Sequence, residues 1–316
     1  MTTFRADDTA DDRVVVSIDA TPVLSYVYRS AAPAVESPRP YFHPLTTLGG
    51  VTVTQHRPDD HPWHAGLSWA LPNVDAASGS HNFWGGPTYV RDRGYVQLPN
   101  NGRVEHRGFT ALAATDEGVE IEEQLQWVSA HARPVFTEKR RLTVTAAADH
   151  WTLRFATVMR NVSGEPLSIG SPGTEGRADA GYGGLFWRGP DGMRHGDVLA
   201  AGAAGMGERG DWAAYSTADA TVLMRDHVGN PRHPVPWFVR TDDYAGLCAA
   251  PFFSEPLEVA VGEKVRFAYS VTVADGPSDR ARAAALAEAT EQTAQTAQTE
   301  QTAPTAPTAP TAEERQ

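Results

Sequence analysis

Up to about residue 276 the apolar positions fall in short β-branched or aromatic runs broken by Gly, Pro, Asn and Asp, and nothing before residue 277 carries the period of a helix. Val14-Val-Val-Ser-Ile18 and Val23-Leu-Ser-Tyr-Val27 are two such runs, separated at Thr21-Pro22. The clearest block is four strands at near-regular spacing, Glu105–Ala114, Val119–Val128, Val135–Ala146 and Trp151–Val162. In Lys139-Arg-Arg-Leu-Thr-Val-Thr145 and Trp151-Thr-Leu-Arg-Phe-Ala-Thr157 apolar and polar residues partly alternate, the period of a sheet with one wet face. Further strands are predicted at Leu167–Gly170, Gly184–Trp187, Ala220–Arg225, Trp237–Arg240 and Gly246–Ala249, with a weaker one at Val51–Thr54. Leu257–Val261 and Lys264–Val273 read as a hairpin turning at Gly262-Glu263.

Strand after strand with Gly/Pro turns predicts an all-β chain, a two-sheet antiparallel β-sandwich. The expected organisation is a disordered segment at 1–12, the sandwich at 13–276, a short Ala-rich helix or linker at 277–291, and a disordered tail at 292–316. The text from Thr290 on, TEQTAQTAQTEQTAPTAPTAPTAEERQ, is a three-residue low-complexity repeat with almost no large apolar side chain with which to offset ordering entropy. Residues 31–62 and 71–102 read as long loops, and their many aromatics argue that these are ordered and functional.

A net charge of −12 excludes a phosphate-backbone partner, which needs a basic face. The single cysteine, Cys248, sits in an apolar run and reads as a buried structural thiol. The N-terminus has no apolar stretch behind a positive one, and no window approaches a membrane span of roughly 20 apolar residues, so no membrane partner and a cytoplasmic location are expected. The oligomeric state is not legible.

Four constellations could carry chemistry. Gln55-His-Arg-Pro-Asp-Asp-His-Pro-Trp-His-Ala-Gly66 holds His56, His61 and His64 beside Asp59 and Asp60, on a loop stiffened by Pro58 and Pro62. Three readings stand open for it: a polar seam, a sugar-binding or acid–base site, or a metal site. A metal site would need a distant third ligand such as His43, His81 or Glu175, because the prolines forbid the helix of a His-Glu-x-x-His motif; no metal or cofactor is expected. Ser80-His-Asn-Phe-Trp-Gly-Gly-Pro-Thr-Tyr89 places His81 and Trp84 near backbone-permissive glycines, the mix with which proteins stack a sugar's C–H face and bind its hydroxyls. Gly173-Thr-Glu-Gly-Arg177 and the following Gly181-Tyr-Gly-Gly-Leu-Phe-Trp-Arg188 offer Glu175, Arg177, Tyr182 and Arg188. Trp237-Phe-Val-Arg240 and Pro251-Phe-Phe-Ser-Glu255 add Glu255, either a solvated turn residue or a base facing the histidines.

Arg39-Pro-Tyr-Phe-His-Pro-Leu45, Asp60-His-Pro-Trp-His-Ala-Gly-Leu67, Asn82-Phe-Trp-Gly85, the 181–188 segment and Phe252-Phe-Ser-Glu255 together resemble the uncharacterised bacterial family labelled PmoA-like or DUF6807, over roughly residues 15–276. The resemblance implies a galactose-mutarotase-like supersandwich. It also implies a small-molecule carbohydrate ligand, with His61 or His64 as acid and Glu175 or Glu255 as base. Trp63 and Trp84 would form the wall for the sugar ring, Arg188 or Arg177 would bind an oxygen, and His43, His81 and Tyr182 would complete the binding site. The expected function is acid–base chemistry on a sugar or keto-sugar by an epimerase, lyase or hydrolase. The alternatives are a non-catalytic sugar-binding or sensing domain, or a metal-dependent oxygenase or hydrolase.

Overall fold

The computed structural model describes residues 2–290. The chain is 51% strand and 6% helix. Two eight-stranded sheets dominate. The first runs, in spatial order, Phe4–Thr9, Arg13–Ile18, Thr21–Val27, Tyr41–Leu45, Leu67–Ala70, Gly184–Arg188, Gly246–Ala249, Trp237–Arg240. The second runs Arg103–Thr115, Gly118–Val128, Pro134–Ala146, His150–Asn161, Lys264–Asp275, Ala220–Asp226, Trp212–Ser216, Asp197–Ala200. Neighbouring strands in both are antiparallel.

The sheets face each other across one apolar core. Trp69 of the first sheet lies 4.9 Å from Phe267 and 5.9 Å from Phe155 of the second, and Trp187 lies 5.1 Å from Tyr215. Indole and phenyl faces at such separations add packing energy beyond area burial. Within this core runs a charged seam. Glu138 accepts from Arg140 Nε at 2.8 Å, Trp127 Nε1 at 2.7 Å and Thr157 Oγ1 at 2.8 Å. Arg140 in turn donates to the Tyr26 hydroxyl at 3.0 Å, which donates to Glu123. His106 Nδ1 meets the other Glu123 oxygen at 2.7 Å.

Several sequence expectations are corrected. Residues 1–12 are not disordered as a whole: Phe4–Thr9 forms the edge strand, paired in full with Arg13–Ile18, with Phe4 and Ala6 packed on the core. Arg5, Asp7 and Asp8 are exposed, so the polarity of the segment disguises an edge strand. Leu257–Val259 and Lys264–Asp275 turn sharply at Gly262 (φ +78) but are not a hairpin, since the former pairs with Leu167–Gly170 and the latter with His150–Asn161 and Ala220–Asp226. Residues 31–62 and 71–102 contain short strands, including Tyr41–Leu45, Asn73–Ala76, Gly79–His81 and a small ribbon of Thr88–Val90 with Gly94–Val96.

A helix spans residues 280–290. Asp279 caps it, accepting from the Arg282 amide at 2.8 Å. Ala283, Leu286 and Ala287 are buried against Trp212, Ala214 and Leu223 on the outside of the second sheet. The packed unit therefore runs past residue 276. The expected tail beyond it lies outside the described residues. Among the described residues no helix is long and apolar enough to cross a membrane.

Candidate functional site

The site lies on the outer face of the first sheet rather than at one end of the sandwich. Successive strand residues point to opposite faces. In Leu67–Ala70, Gly184–Arg188, Trp237–Arg240 and Gly246–Ala249, the side chains of Trp69, Leu185, Trp187, Trp237 and Leu247 enter the inter-sheet core. Their neighbours Ala70, Phe186, Phe238 and Cys248 form a second apolar layer on the other side, with Trp84 and Tyr244. These strands are buried on both faces, which explains their nearly unbroken apolar text. By the same alternation Arg188 follows Phe186, and Arg240 follows Phe238, on the outer face. Cys248 is part of this floor, and burial pushes its thiol up to about 12, so it stays protonated.

The 55–66 loop hangs from the end of one of these strands. Gln55 N donates to Arg188 O at 2.9 Å, Arg188 N to Gly66 O at 2.8 Å, and Gly66 N to Gln55 O at 2.9 Å. Gly66 (φ +53) is required, because a Cβ there would stand 2.1 Å from Phe42 O. Two tight turns, closed by His61 N→Pro58 O and His64 N→His61 O, bring His61 and His64 onto the same side. Their rings stack at 4.5 Å with planes 12° apart.

The two imidazoles are wired oppositely. Arg188 Nη1 donates to His64 Nδ1 at 3.3 Å. A guanidinium can only donate, so Nδ1 is the acceptor and the ring's proton sits on Nε2. Burial first, and then the neighbouring His61, Arg188 and Arg39, hold the His64 pKa well below its ordinary value, so the ring is neutral at neutral pH. His61 Nδ1 instead meets Asp60 Oδ2 at 2.8 Å. A carboxylate can only accept, so in the neutral ring Nδ1 carries the proton and Nε2 presents a lone pair. Asp60 is itself held by Arg188 Nη2 at 3.0 and 3.1 Å. Burial pushes the Asp60 carboxyl up, but the bond from His61 and the charge of Arg188 outweigh it, and the net shift is downward. Neither Nε2 has a hydrogen-bond partner among the described residues, and both rings line a cavity of about 370 Å³. That volume is in the roughly 300–1,000 Å³ range of small-molecule sites.

Trp63 and Trp84 come from different loops and are fixed by one buried guanidinium. Arg39 donates to Trp63 O at 2.9 Å, Trp84 O at 2.9 Å, Ser37 O at 3.1 Å and Glu36 O at 3.2 Å. Burial lowers its pKa to about 10, and it stays charged. Asn82 Oδ1 accepts from the amides of Trp84 at 2.8 Å and Gly85 at 2.9 Å, the short local turn for which asparagine is suited. Gly86 (φ +66) lies under the Trp63 indole, and a Cβ there would stand 2.6–2.7 Å from three ring carbons.

The Tyr182 ring lies tilted 4.7 Å from Trp84 and edge-on 5.5 Å from Phe238, and its hydroxyl meets that of Tyr95 at 2.9 Å. Arg177 lies over the Tyr95 ring and donates to its hydroxyl at 2.7 Å. Arg240 lies over Phe238 at 4.8 Å. The Arg188 guanidinium is sandwiched under Tyr244 at 4.1 Å, and the Tyr244 ring lies 5.4 Å from His64.

Of the residues singled out in the sequence, His61, Trp63, His64, Trp84, Arg177 and Tyr182 line this one cavity, and Arg188 lies directly beneath it. Four do not join them. His43 bonds Thr54 Oγ1 at 3.0 Å and lies beside His56, away from the cavity. His81 sits in a separate four-stranded sheet of Leu257–Val259, Leu167–Gly170, Asn73–Ala76 and Gly79–His81, opposite Val74 and near Asp75 and Phe83. Glu175 is half-buried on its loop and does not line the cavity, although Arg177 two positions on does. The Glu255 carboxylate is 75% exposed, pairs loosely with Arg232 at 3.8 Å and does not line the cavity. Tyr95, Arg240, Asp243 and Tyr244 line the cavity without having been singled out. Arg240 was within reach of strand parity from Phe238; Tyr95, Asp243 and Tyr244 carry no such signal. Among the described residues no three His, Cys, Asp or Glu side chains converge as a metal-ion set requires.

In comparisons with known proteins, no curated protein matches the chain significantly. Solved structures that resemble it include a putative aldose 1-epimerase from Escherichia coli K12, at 8% identity and a TM-score of 0.33, covering 86% of this chain and 99% of that one. The galactosidase domain of an alpha-galactosidase–sucrose kinase has 11% identity, a TM-score of 0.37 and coverage of 87% and 40%. The alpha-galactosidase from Lactobacillus brevis has 9% identity, a TM-score of 0.36 and coverage of 87% and 38%. The chain thus spans about two fifths of either galactosidase chain. Over residues 13–288 it matches the family of unknown function DUF6807, and it belongs to that family.

Proposed function

We propose that this protein is carbohydrate-active, and that its His61–His64 pair performs acid–base chemistry on a sugar or keto-sugar seated against Trp63 and Trp84. The observation that carries the reading is the opposite wiring of two stacked imidazoles in an aromatic-walled cavity. Asp60 leaves the His61 Nε2 lone pair free to take a proton. Arg188 leaves the His64 Nε2–H free to give one. A proton removed from the anomeric hydroxyl by His61 and one delivered to the ring oxygen by His64 breaks the bond from that carbon to the ring oxygen and opens the ring, which re-closes on either face by the reverse transfers; a proton removed from an acidified C–H and one delivered to a departing oxygen is an elimination. The indoles supply flat apolar surface for a sugar's C–H face, and the tyrosine hydroxyls and guanidiniums supply polar partners. Asp60 and Arg188 act as positioning residues.

The test is an NMR screen of sugars and 3-keto sugars with wild type, His61→Ala, His64→Ala and Trp84→Ala. Loss of either imidazole should cost about 10²–10⁴ in turnover, while loss of the indole should mainly weaken binding. Turnover unchanged in both histidine variants overturns the acid–base reading. Binding without turnover of any sugar makes the protein a sugar-sensing module instead.

A further inference from the structure

Resting on that reading, we propose that the ligand is a sugar acid, a monoanion whose carboxylate is held at the mouth of the cavity by Arg177 and Arg240. Both guanidiniums line the cavity. Both are half-buried, each lies over an aromatic ring, and each has only neutral hydrogen-bond partners among the described residues. Arg177 donates to the Tyr95 hydroxyl at 2.7 Å and Arg240 to the Asp179 carbonyl at 3.2 Å. By contrast, Arg188 beneath the cavity is matched by Asp60, and Arg57 outside it by Glu36.

A partly desolvated cation without a counter-charge is costly. The chain carries 39 acidic residues against 27 basic ones, so carboxylates to neutralise these two arginines were plentiful. The guanidinium fork matches a carboxylate in two parallel hydrogen bonds, and an arginine stacked on a ring is already oriented for it.

The charge balance selects a carboxylate over a phosphate. Asp243 is the acidic residue on the cavity wall. Two cations against Asp243 leave one unmatched positive charge, right for a monoanion. A sugar phosphate carries about −1.5 to −2 at neutral pH and would be over-charged for this site. The positions also fit a reactive end and a recognised end. The histidines lie against Trp63, Trp84 and Tyr244, whereas Arg177 stands with Tyr95 and Tyr182, and Arg240 over Phe238.

The experiment uses the full chain and a panel of hexuronates, each beside its parent hexose and the hexose 6-phosphate, with affinity read by ligand-observed NMR and calorimetry. Uronates should bind at least about tenfold more tightly than their parents, and the preference should shrink as salt rises. Arg177→Gln and Arg240→Gln should each lower the uronate-over-parent-hexose affinity ratio about tenfold, with unfolding midpoints near wild type. Parent hexoses bound as tightly as uronates overturn this inference and leave the carbohydrate reading standing. Tighter binding of 6-phosphates than uronates overturns the carboxylate assignment, as does uronate affinity unchanged in both variants. Binding of no sugar of any kind overturns both readings together.

Discussion

Glu138→Gln keeps the size and shape of a side chain at the centre of the inter-sheet seam and removes only its charge and half its accepting capacity. Glu138 is 2% exposed and Arg140 likewise 2%, so water cannot replace what is lost. Three donors converge on the two carboxylate oxygens, from Arg140, Trp127 and Thr157, all at 2.7–2.8 Å. A glutamine offers one oxygen and one NH₂, so at least one of these donors must face another donor. Removing one member of a buried ion pair costs about 3–5 kcal/mol, because the remaining charge stays buried and uncompensated. For a domain of this size that corresponds to roughly 6–15 °C in Tm, at about 2–3 °C per kcal/mol. The assay is urea unfolding followed by tryptophan fluorescence and circular dichroism, with the m-value required to stay constant. Thr157→Val is the control: it removes a single neutral donor and should cost only about 0.5–1.5 kcal/mol. If Glu138→Gln costs less than about 1 kcal/mol, or no more than Thr157→Val, the seam is not a coupled charged network and the reasoning fails.

Gly86→Ala should combine the strain of a positive φ with a clash on the Trp63 ring carbons, costing about 2–4 kcal/mol and weakening ligand binding; full stability with normal binding would show that Trp63 does not rest where it stands. Leu286→Ala should cost about 2–4 kcal/mol if the 280–290 helix is part of the folded unit, and a shift under 0.5 kcal/mol in the same urea assay would show that it is not. Burial, the nearby His43 and the Arg57 and Arg39 charges lower the His56 pKa to about 4, and burial first holds His64 well below its ordinary value. These rings are neutral when folded but take up protons near pH 6.5 when unfolded, so stability is full above about pH 6.5 and falls as pH drops towards 4, by at most ~1.4 kcal/mol per pH unit for each. Asp226 and Asp75, whose pKa values burial raises, act in the opposite sense nearer pH 4 and flatten the lower end of the curve. A stability profile flat between pH 7 and 5 in wild type, unchanged by His56→Phe, would contradict the assignment.

The four long strands from Arg103 to Asn161 were legible from the near-regular spacing of their turns and from the partial alternation within Lys139–Thr145 and Trp151–Thr157, the local period of a sheet with one wet face. The stiff His-Pro-Trp-His loop was legible for the same local reason: Pro58 and Pro62 restrict the backbone wherever the loop lies. What sequence could not decide was partnership. Leu257–Val259 and Lys264–Asp275 look like a hairpin, and only the competition among distant strands sends them to different partners. His43, His81, Glu175 and Glu255 carry the same chemistry in the text as His61 and His64. The ladder or loop in which each lies turns it away from the cavity, and no local pattern encodes that. The apolar text of Gly184–Arg188 and Trp237–Arg240 shows burial on both faces, but which face holds the site depends on which loops cover it. The arginine that holds both tryptophans, Arg39, is 45 positions from Trp84, and a buried guanidinium reaching four backbone carbonyls exists only once the chain has closed around it. Local periodicity sets which residues are strands and which loops are stiff. Long-range backbone pairing and the burial it creates decide which histidines meet, which proton each one carries, and where the unmatched charges are left.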